Sequence, residues 1–187
     1  MSNIKSTDKQ YVANTYGRFD LVLTHGQGST VWDEDGKQYI DLATGIAVNT
    51  FGYSDEGWVA AVTDQLGRLQ HTSNLYYHEP GARLAEKLCT RTGAKSVFFS
   101  NSGAEANENA LKVASFHTGK AKILAFRKAF HGRTSGAVAA TDNPKIQSPF
   151  NETANIVFVP LNDLEAVDNE LSKGGFAAVI IEGIQGV

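Results

Sequence analysis

From residue 121 onward, short apolar runs alternate with runs of helical period: AKILAF, NIVFVP, LNDLEAVDNELSKG and FAAVIIEG. No other feature of the chain restricts its fold as much. The apolar runs have the length of strands and little polar alternation, the mark of strands covered on both faces. Strands joined through a helix pair in parallel by a crossover, not as a hairpin. The prediction is an α/β domain with a parallel or mixed sheet between helices. Upstream, SVFFS (96–100) reads as one more strand and AEANENALKVASFH as the helix after it.

The N-terminal portion has a different pattern. Residues 1–20 are polar and read as an arm or short helix. Leu21 to Leu42 reads as short strands, with the Asp35–Gly36 turn signal between Trp32 and Tyr39. TGIAVNTFGYS reads as a loop with corners at Gly45 and Gly52. Trp58, Val62, Leu66 and Leu69 recur at helical spacing, HTSNLYYHEPG is a loop, and a further helix starts near Pro80. The expected organisation is an arm and small β-containing segment over 1–55, then a larger α/β domain over 56–187. The sequence stops at AVIIEGIQGV, directly after a buried-type strand, and reads as the first part of a longer chain.

Composition narrows the function classes. With 187 residues, 42% of them hydrophobic, the chain can bury one sizeable core. A formal net charge of -3 gives no electrostatic footprint for nucleic acid or an acidic membrane. A lone Cys89 excludes an internal disulfide. The N-terminus has no apolar signal region and no apolar run spans a bilayer, so the cytoplasm follows by elimination.

Three stretches can carry chemistry. In FFSNSGAEANENALKVA, Ser102 and Glu105 have capping-box spacing. The first turn of a helix has N–H groups without intrahelical partners, and Gly103 and Ala104 leave access to them. A phosphate there gains hydrogen bonds and the favourable end of the helix dipole, with the Ser102 hydroxyl as a further donor. A cap without a ligand has the same sequence. Ala106, Ala110, Val113 and Ala114 would form a small-residue face lying close to a sheet. Neither GxGxxG nor GxxxxGK[ST] is present.

In AFRKAFHGRTSG, Phe130 can cover a planar ring and Arg133 can clamp a carboxylate with two parallel hydrogen bonds. A basic surface loop whose phenylalanine reaches the core is the alternative. In HTSNLYYHE, His71, His78 and Glu79 match no short metal-ligand spacing, so no metal is expected, and the stretch suits a pocket wall or subunit contact. No GxSxG nucleophile elbow occurs.

Together FDLVLTHGQGSTVWDEDGKQYIDLATGIAVNTFGY, LQHTSNLYY, VFFSNSGAEANENALKVA, FRKAFHGRTSGAVAAT and AAVIIEGIQG resemble the class-III aminotransferases of fold type I, most of all their acetylornithine branch. The resemblance implies an α/β sandwich with a mostly parallel sheet, a pyridoxal 5'-phosphate cofactor and a homodimer. It implies transfer of a δ-amino group from N2-acetyl-L-ornithine to 2-oxoglutarate, a step of arginine biosynthesis, with ornithine or succinylornithine as other donors. A non-catalytic module on the same fold is a further alternative.

By the same resemblance Ser102, Gly103 and Ala104 hold the cofactor phosphate, Phe130 stacks on the pyridine ring and Arg133 binds the donor's α-carboxylate. Ile46, Ala47 and Val48 lie near the substrate entrance, and Glu182 helps organise the ring's surroundings. The lysine that carries the cofactor and the aspartate facing the pyridine nitrogen are expected beyond residue 187, as is a threonine reaching the phosphate from the partner subunit. No context marks Lys112, Lys120, Lys122 or Lys128 as a nucleophile, and these 187 residues alone are expected to lack turnover. The chain departs from the family pattern at Gly183, where a proline is usual, and at Val187, where a substrate-switching glutamate is usual.

Overall fold

A computed structural model describes residues 4–186. Contacts divide the chain into two compact units, Met1–Glu79 and Pro80–Val187.

The first unit opens with helix α1 (Ile4–Tyr11), followed by an antiparallel sheet of β1 (Leu23–Gln27), β2 (Thr30–Asp33) and β3 (Gln38–Ile40) in that order. Asp33 closes the second hairpin. Its carboxylate accepts from the amides of Asp35 and Lys37 and from the Tyr39 hydroxyl at 2.8–3.0 Å. The Tyr39 hydrogen bond, above all, holds the Asp33 carboxyl below its usual range. Gly36 takes the turn's left-handed position at φ 79°.

The stretch expected to be a loop after β3 contains one short turn, α2 (Thr44–Ala47). Its four residues all have positive φ, from 51° to 64°, so the backbone is left-handed. Only Gly45 adopts this without cost; for Thr44, Ile46 and Ala47 the penalty is roughly 1–2 kcal/mol each. Asp41 stabilises the entry by accepting from the amides of Ala43 and Thr44 and from the Tyr53 hydroxyl. Ile46 is 92% exposed and Val48 77%.

Helix α3 (Glu56–Arg68) starts at Asp55, whose carboxylate accepts from the Trp58 amide at 2.7 Å. Asp55→Ala removes that cap and is expected to lower stability by about 1 kcal/mol, measured by chemical unfolding.

The second unit contains α4 (Glu79–Thr92), α5 (Gly103–Thr118), β4 (Lys122–Phe126), α6 (Ser135–Ala139), β5 (Ile156–Val159), α7 (Leu164–Leu171) and β6 (Phe176–Val179). β4 lies between β5 and β6, and both pairings are parallel. The alternation read from the sequence is therefore realised as a parallel sheet. β4 is the buried centre, from Ile123 to Phe126. Leu124, Phe126, Ala129 and Val159 form the core, with Val167 of α7 and Phe176 of β6 packed against it. Both sides of a central strand are covered, which is why AKILAF has no polar alternation.

Two expectations are corrected here. SVFFS is not a strand: residues 96–100 pair with no other strand among the described residues, and a strand exists only by pairing. Helix α5 also turns a different face inward. Of the expected face Ala106, Ala110 and Val113 are exposed and only Ala114 is half-buried, whereas Ala104, Asn107, Glu108 and Leu111 are half-buried too. The polar pair points inward because it has hydrogen bonds to make, a purpose that apolar periodicity cannot show.

Among the described residues no helix is long and apolar enough to cross a membrane. Val187 lies outside the described residues.

Candidate active site

The start of α5 and the segment after β4 meet in the second unit. Ser102 is the N-cap of α5 in extended conformation, and its hydroxyl oxygen accepts from the Glu105 amide at 3.2 Å. The same hydroxyl donates to the Glu105 carboxylate at 2.9 Å. The capping spacing is thus used, with Glu105 engaging the cap's side chain. The first-turn amides of Gly103 and Ala104 have no intrahelical acceptor. A side chain on Gly103 would find no atom within 4 Å, so the space over this corner is open.

The segment 127–134 leaves the C-terminal end of β4 and leads into α6. Its fold is fixed by side chains distant in sequence. The Lys128 amide donates to Asp142 at 2.8 Å, and the Arg127 guanidinium pairs with the same carboxylate at 3.3 Å. The Phe130 amide donates to the Glu182 carboxylate at 2.9 Å. The His131 amide donates to the buried Thr141 hydroxyl at 2.9 Å, and the His131 carbonyl accepts from the Asn107 side-chain amide at 2.7 Å. Glu108 accepts from the amides of Gly136 and Ala137 at 2.6 and 3.0 Å, capping α6 from α5.

Gly132 joins the two halves. Its φ is 135°, and a β-carbon there would lie 2.6 Å from the β-carbon of Ala104 and 3.1 Å from that of Ala137. Only a residue without a side chain lets this segment press against the first turn of α5. The segment that bears Phe130 and Arg133 is thereby held against the first turn of α5, and the Arg133 guanidinium carbon lies 5.6 Å from the centre of the Phe130 ring. That distance fits a cation facing an aromatic ring.

The site therefore gathers Ser102, Gly103, Ala104, Phe130, Arg133 and Glu182 in one unit. Ile46, Ala47 and Val48 belong to the other unit. Sequence reading missed Asn107, Glu108, Thr141 and helix α6. The only sequence signal for α6 is Thr134–Ser135 before a run of small residues.

The electrostatics follow from burial and hydrogen bonding. Burial pushes the Glu108 carboxyl up. The Ala137 amide, the Thr134 hydroxyl, the Gly136 amide and the Lys112 charge outweigh it, leaving the group below its usual range and ionised. Burial lowers the His131 pKa, and the Glu182 carboxylate offsets only part of that. The His131 ring is neutral at pH 7, and its buried Nε2 makes no hydrogen bond to the described residues.

A stability signature follows. Above about pH 6.5 the ring is neutral both folded and unfolded. As pH falls through that value, the unfolded chain takes up the proton first, so stability falls until the lowered folded-state pKa is passed. In His131→Gln the part of the melting-temperature slope below about pH 6.5 that comes from this ring is expected to disappear, as read by thermal unfolding across pH 5–8.

The chain has relatives among known proteins. The acetylornithine aminotransferase of Haemophilus ducreyi is 45% identical over 98% of this chain, which spans 48% of that protein. The N-acetylornithine aminotransferase of Stenotrophomonas maltophilia superposes with a TM-score of 0.77 at 36% identity, over 97% of this chain and 44% of that one. The ornithine aminotransferase of Toxoplasma gondii, whose structure shows partial occupancy of PLP at its active site, superposes at 0.90 with 26% identity, over 98% of this chain and 45% of that one. The chain thus spans about half the length of the relatives it matches, and its α/β architecture is that of the fold-type I transferases. The Aminotransferase class-III pattern runs through residues 11–187, and the chain belongs to that family.

Proposed function

We propose that the protein containing this chain is a pyridoxal-phosphate-dependent aminotransferase that takes the δ-amino group of N2-acetyl-L-ornithine and delivers it to 2-oxoglutarate. The products are N-acetyl-L-glutamate 5-semialdehyde and L-glutamate. The observation that supports this reading is the packing of Gly132 on Ala104, which brings the segment bearing Phe130 and Arg133 against the first turn of α5. These residues fit the cofactor: the corner over Gly103 is open, and its donors suit a phosphate.

In this reading the amides of Gly103 and Ala104, with the Ser102 cap, hold the phosphate. Phe130 covers one face of the pyridine ring, and Glu182 fixes Phe130 by accepting its amide proton. Arg133 holds the donor's α-carboxylate, leaving the far amine free to react. When bound, the cofactor supplies an electron sink for the carbon losing its proton. Residues 56–187 form the first part of the cofactor domain, and the protein acts as a homodimer.

The 45% identity to the Haemophilus ducreyi enzyme supports N-acetylornithine as donor. The high superposition with the Toxoplasma gondii enzyme keeps ornithine as the second reading. Initial rates of the full-length protein with N-acetylornithine, ornithine and N-succinylornithine, each against 2-oxoglutarate, test the choice. The highest kcat/KM is expected for N-acetylornithine, and a higher value for ornithine would transfer the assignment.

A further inference from the structure

Two adjacent residues of α5 fasten the segment that carries Arg133. The Asn107 side-chain amide donates to the His131 carbonyl at 2.7 Å. The Glu108 carboxylate accepts from the amides of Gly136 and Ala137. Arg133 lies between these anchor points, within 132–135. Both anchors stand on the helix whose first turn, at Gly103 and Ala104, is the phosphate seat of the proposed function.

The geometry at Gly136 shows how close the second anchor is. A β-carbon there would lie 2.6 Å from the other Glu108 oxygen, so the carboxylate lies directly against the Gly136 backbone. The α6 amides are among those that no helix can satisfy internally, and here a neighbouring helix satisfies them. Gly132 against Ala104 adds a third point of attachment on α5.

We infer that Asn107 and Glu108 are positioning residues that set the separation between the phosphate seat and the Arg133 clamp, and thereby the length of ω-amino acid the site accepts. The inference rests on the proposed function, since it takes Arg133 as the clamp and the α5 start as the seat. With both ends of the ruler on one rigid helix, the span is fixed by helix geometry and not by a mobile loop. A donor with its carboxylate on Arg133 presents its amine at the cofactor only if its carbon chain matches that span. Neither residue touches substrate in this arrangement; each acts through Arg133.

The test compares donors of different length on the full-length, pyridoxal-phosphate-loaded protein. Kinetic constants are measured with N2-acetylornithine and with N2-acetyl-lysine, one methylene longer, together with cofactor affinity by absorbance titration. Glu108→Ala is expected to raise KM for acetylornithine about tenfold, to change kcat less, and to reduce the preference over the longer donor about tenfold. Cofactor affinity is expected to change less than threefold. Glu108→Gln keeps an acceptor oxygen and is expected to restore the preference to within threefold of the parent.

Asn107→Ala, which loses a single hydrogen bond, is expected to shift the preference in the same direction, and it serves if Glu108→Ala does not fold. An unchanged length preference in a folded, cofactor-loaded variant overturns the inference. So does an equal fall in kcat for both donors, which marks a purely structural role. Arg133→Ala separates the two levels: if that variant keeps full kcat/KM for N2-acetylornithine, the Arg133 clamp of the proposed function fails and the inference falls with it. If Arg133→Ala loses activity while both anchor variants keep the length preference, only the inference fails.

Discussion

Gly132→Ala is expected to destabilise the protein by about 2–6 kcal/mol and to weaken cofactor binding with it. Two costs combine. The new β-carbon would lie 2.6 Å from the Ala104 β-carbon and 3.0 Å from its α-carbon, so the loop or the first turn of α5 must move. Overpacking of this kind costs about 1–3 kcal/mol. The backbone angle of 135° is nearly closed to any residue with a side chain, at a further ~1–3 kcal/mol. Relief by displacement would move the segment bearing Phe130 and Arg133 off the first turn of α5. Chemical unfolding and a pyridoxal phosphate titration measure the two effects. Gly183→Ala is the control: a β-carbon there meets nothing within 4 Å, and no measurable change is expected. Unaltered stability in Gly132→Ala would mean that the loop does not pack on α5 as described.

The second large effect concerns Arg133. In Arg133→Ala, kcat/KM for N2-acetylornithine is expected to fall about 10- to 100-fold. That corresponds to roughly 1.5–3 kcal/mol for lost hydrogen bonds to a charged group. Most of the loss is expected in KM, because the carboxylate is held in the ground state and the transition state alike. Arg133→Lys is expected to recover only part, since an ammonium cannot offer two parallel donors. An ω-amine without an α-carboxylate should be insensitive to either change. Equal losses for both kinds of donor would remove the clamp and point to a packing role against Phe130, whose ring centre is 5.6 Å from the guanidinium carbon.

What the sequence disclosed follows a physical division. Elements whose signal is local were legible. The apolar runs at 122–126, 156–159 and 176–179 became the parallel sheet, because burial on both faces leaves a continuous apolar pattern. Ser102 with Glu105 marked the start of α5, and Asp35–Gly36 marked a hairpin. Relations between distant segments were not legible. The bonds from Asn107 to His131, from Glu108 to Gly136 and from Glu182 to Phe130 join residues 24, 28 and 52 positions apart.

No spacing rule reaches that far. Glu182 entered only through the family resemblance, and Asn107 and Glu108 did not enter at all. The same limit explains the two errors. SVFFS has the composition of a strand, but pairing is not a local property, and Phe98 is 68% exposed. The inward face of α5 was assigned to its alanines because hydrophobicity was the only local guide. The face that turns inward is chosen by hydrogen bonds to a loop more than twenty residues away.

The left-handed turn at Thr44–Ala47 was also hidden, for a related reason. Gly45 alone predicts a corner; a β-branched Ile46 at φ 59° argues against one. Asp41, accepting two backbone amides and the Tyr53 hydroxyl, holds the strained conformation in place.

The central claim is that the first turn of α5 binds phosphate under the cover of Phe130. A crystal structure of the full-length protein loaded with pyridoxal phosphate tests it most directly. The expected result is phosphate oxygens about 3 Å from the amide nitrogens of Gly103 and Ala104, with the Phe130 ring over the pyridine. Phosphate density at any other place in the protein, with those two amides left to solvent, would contradict it.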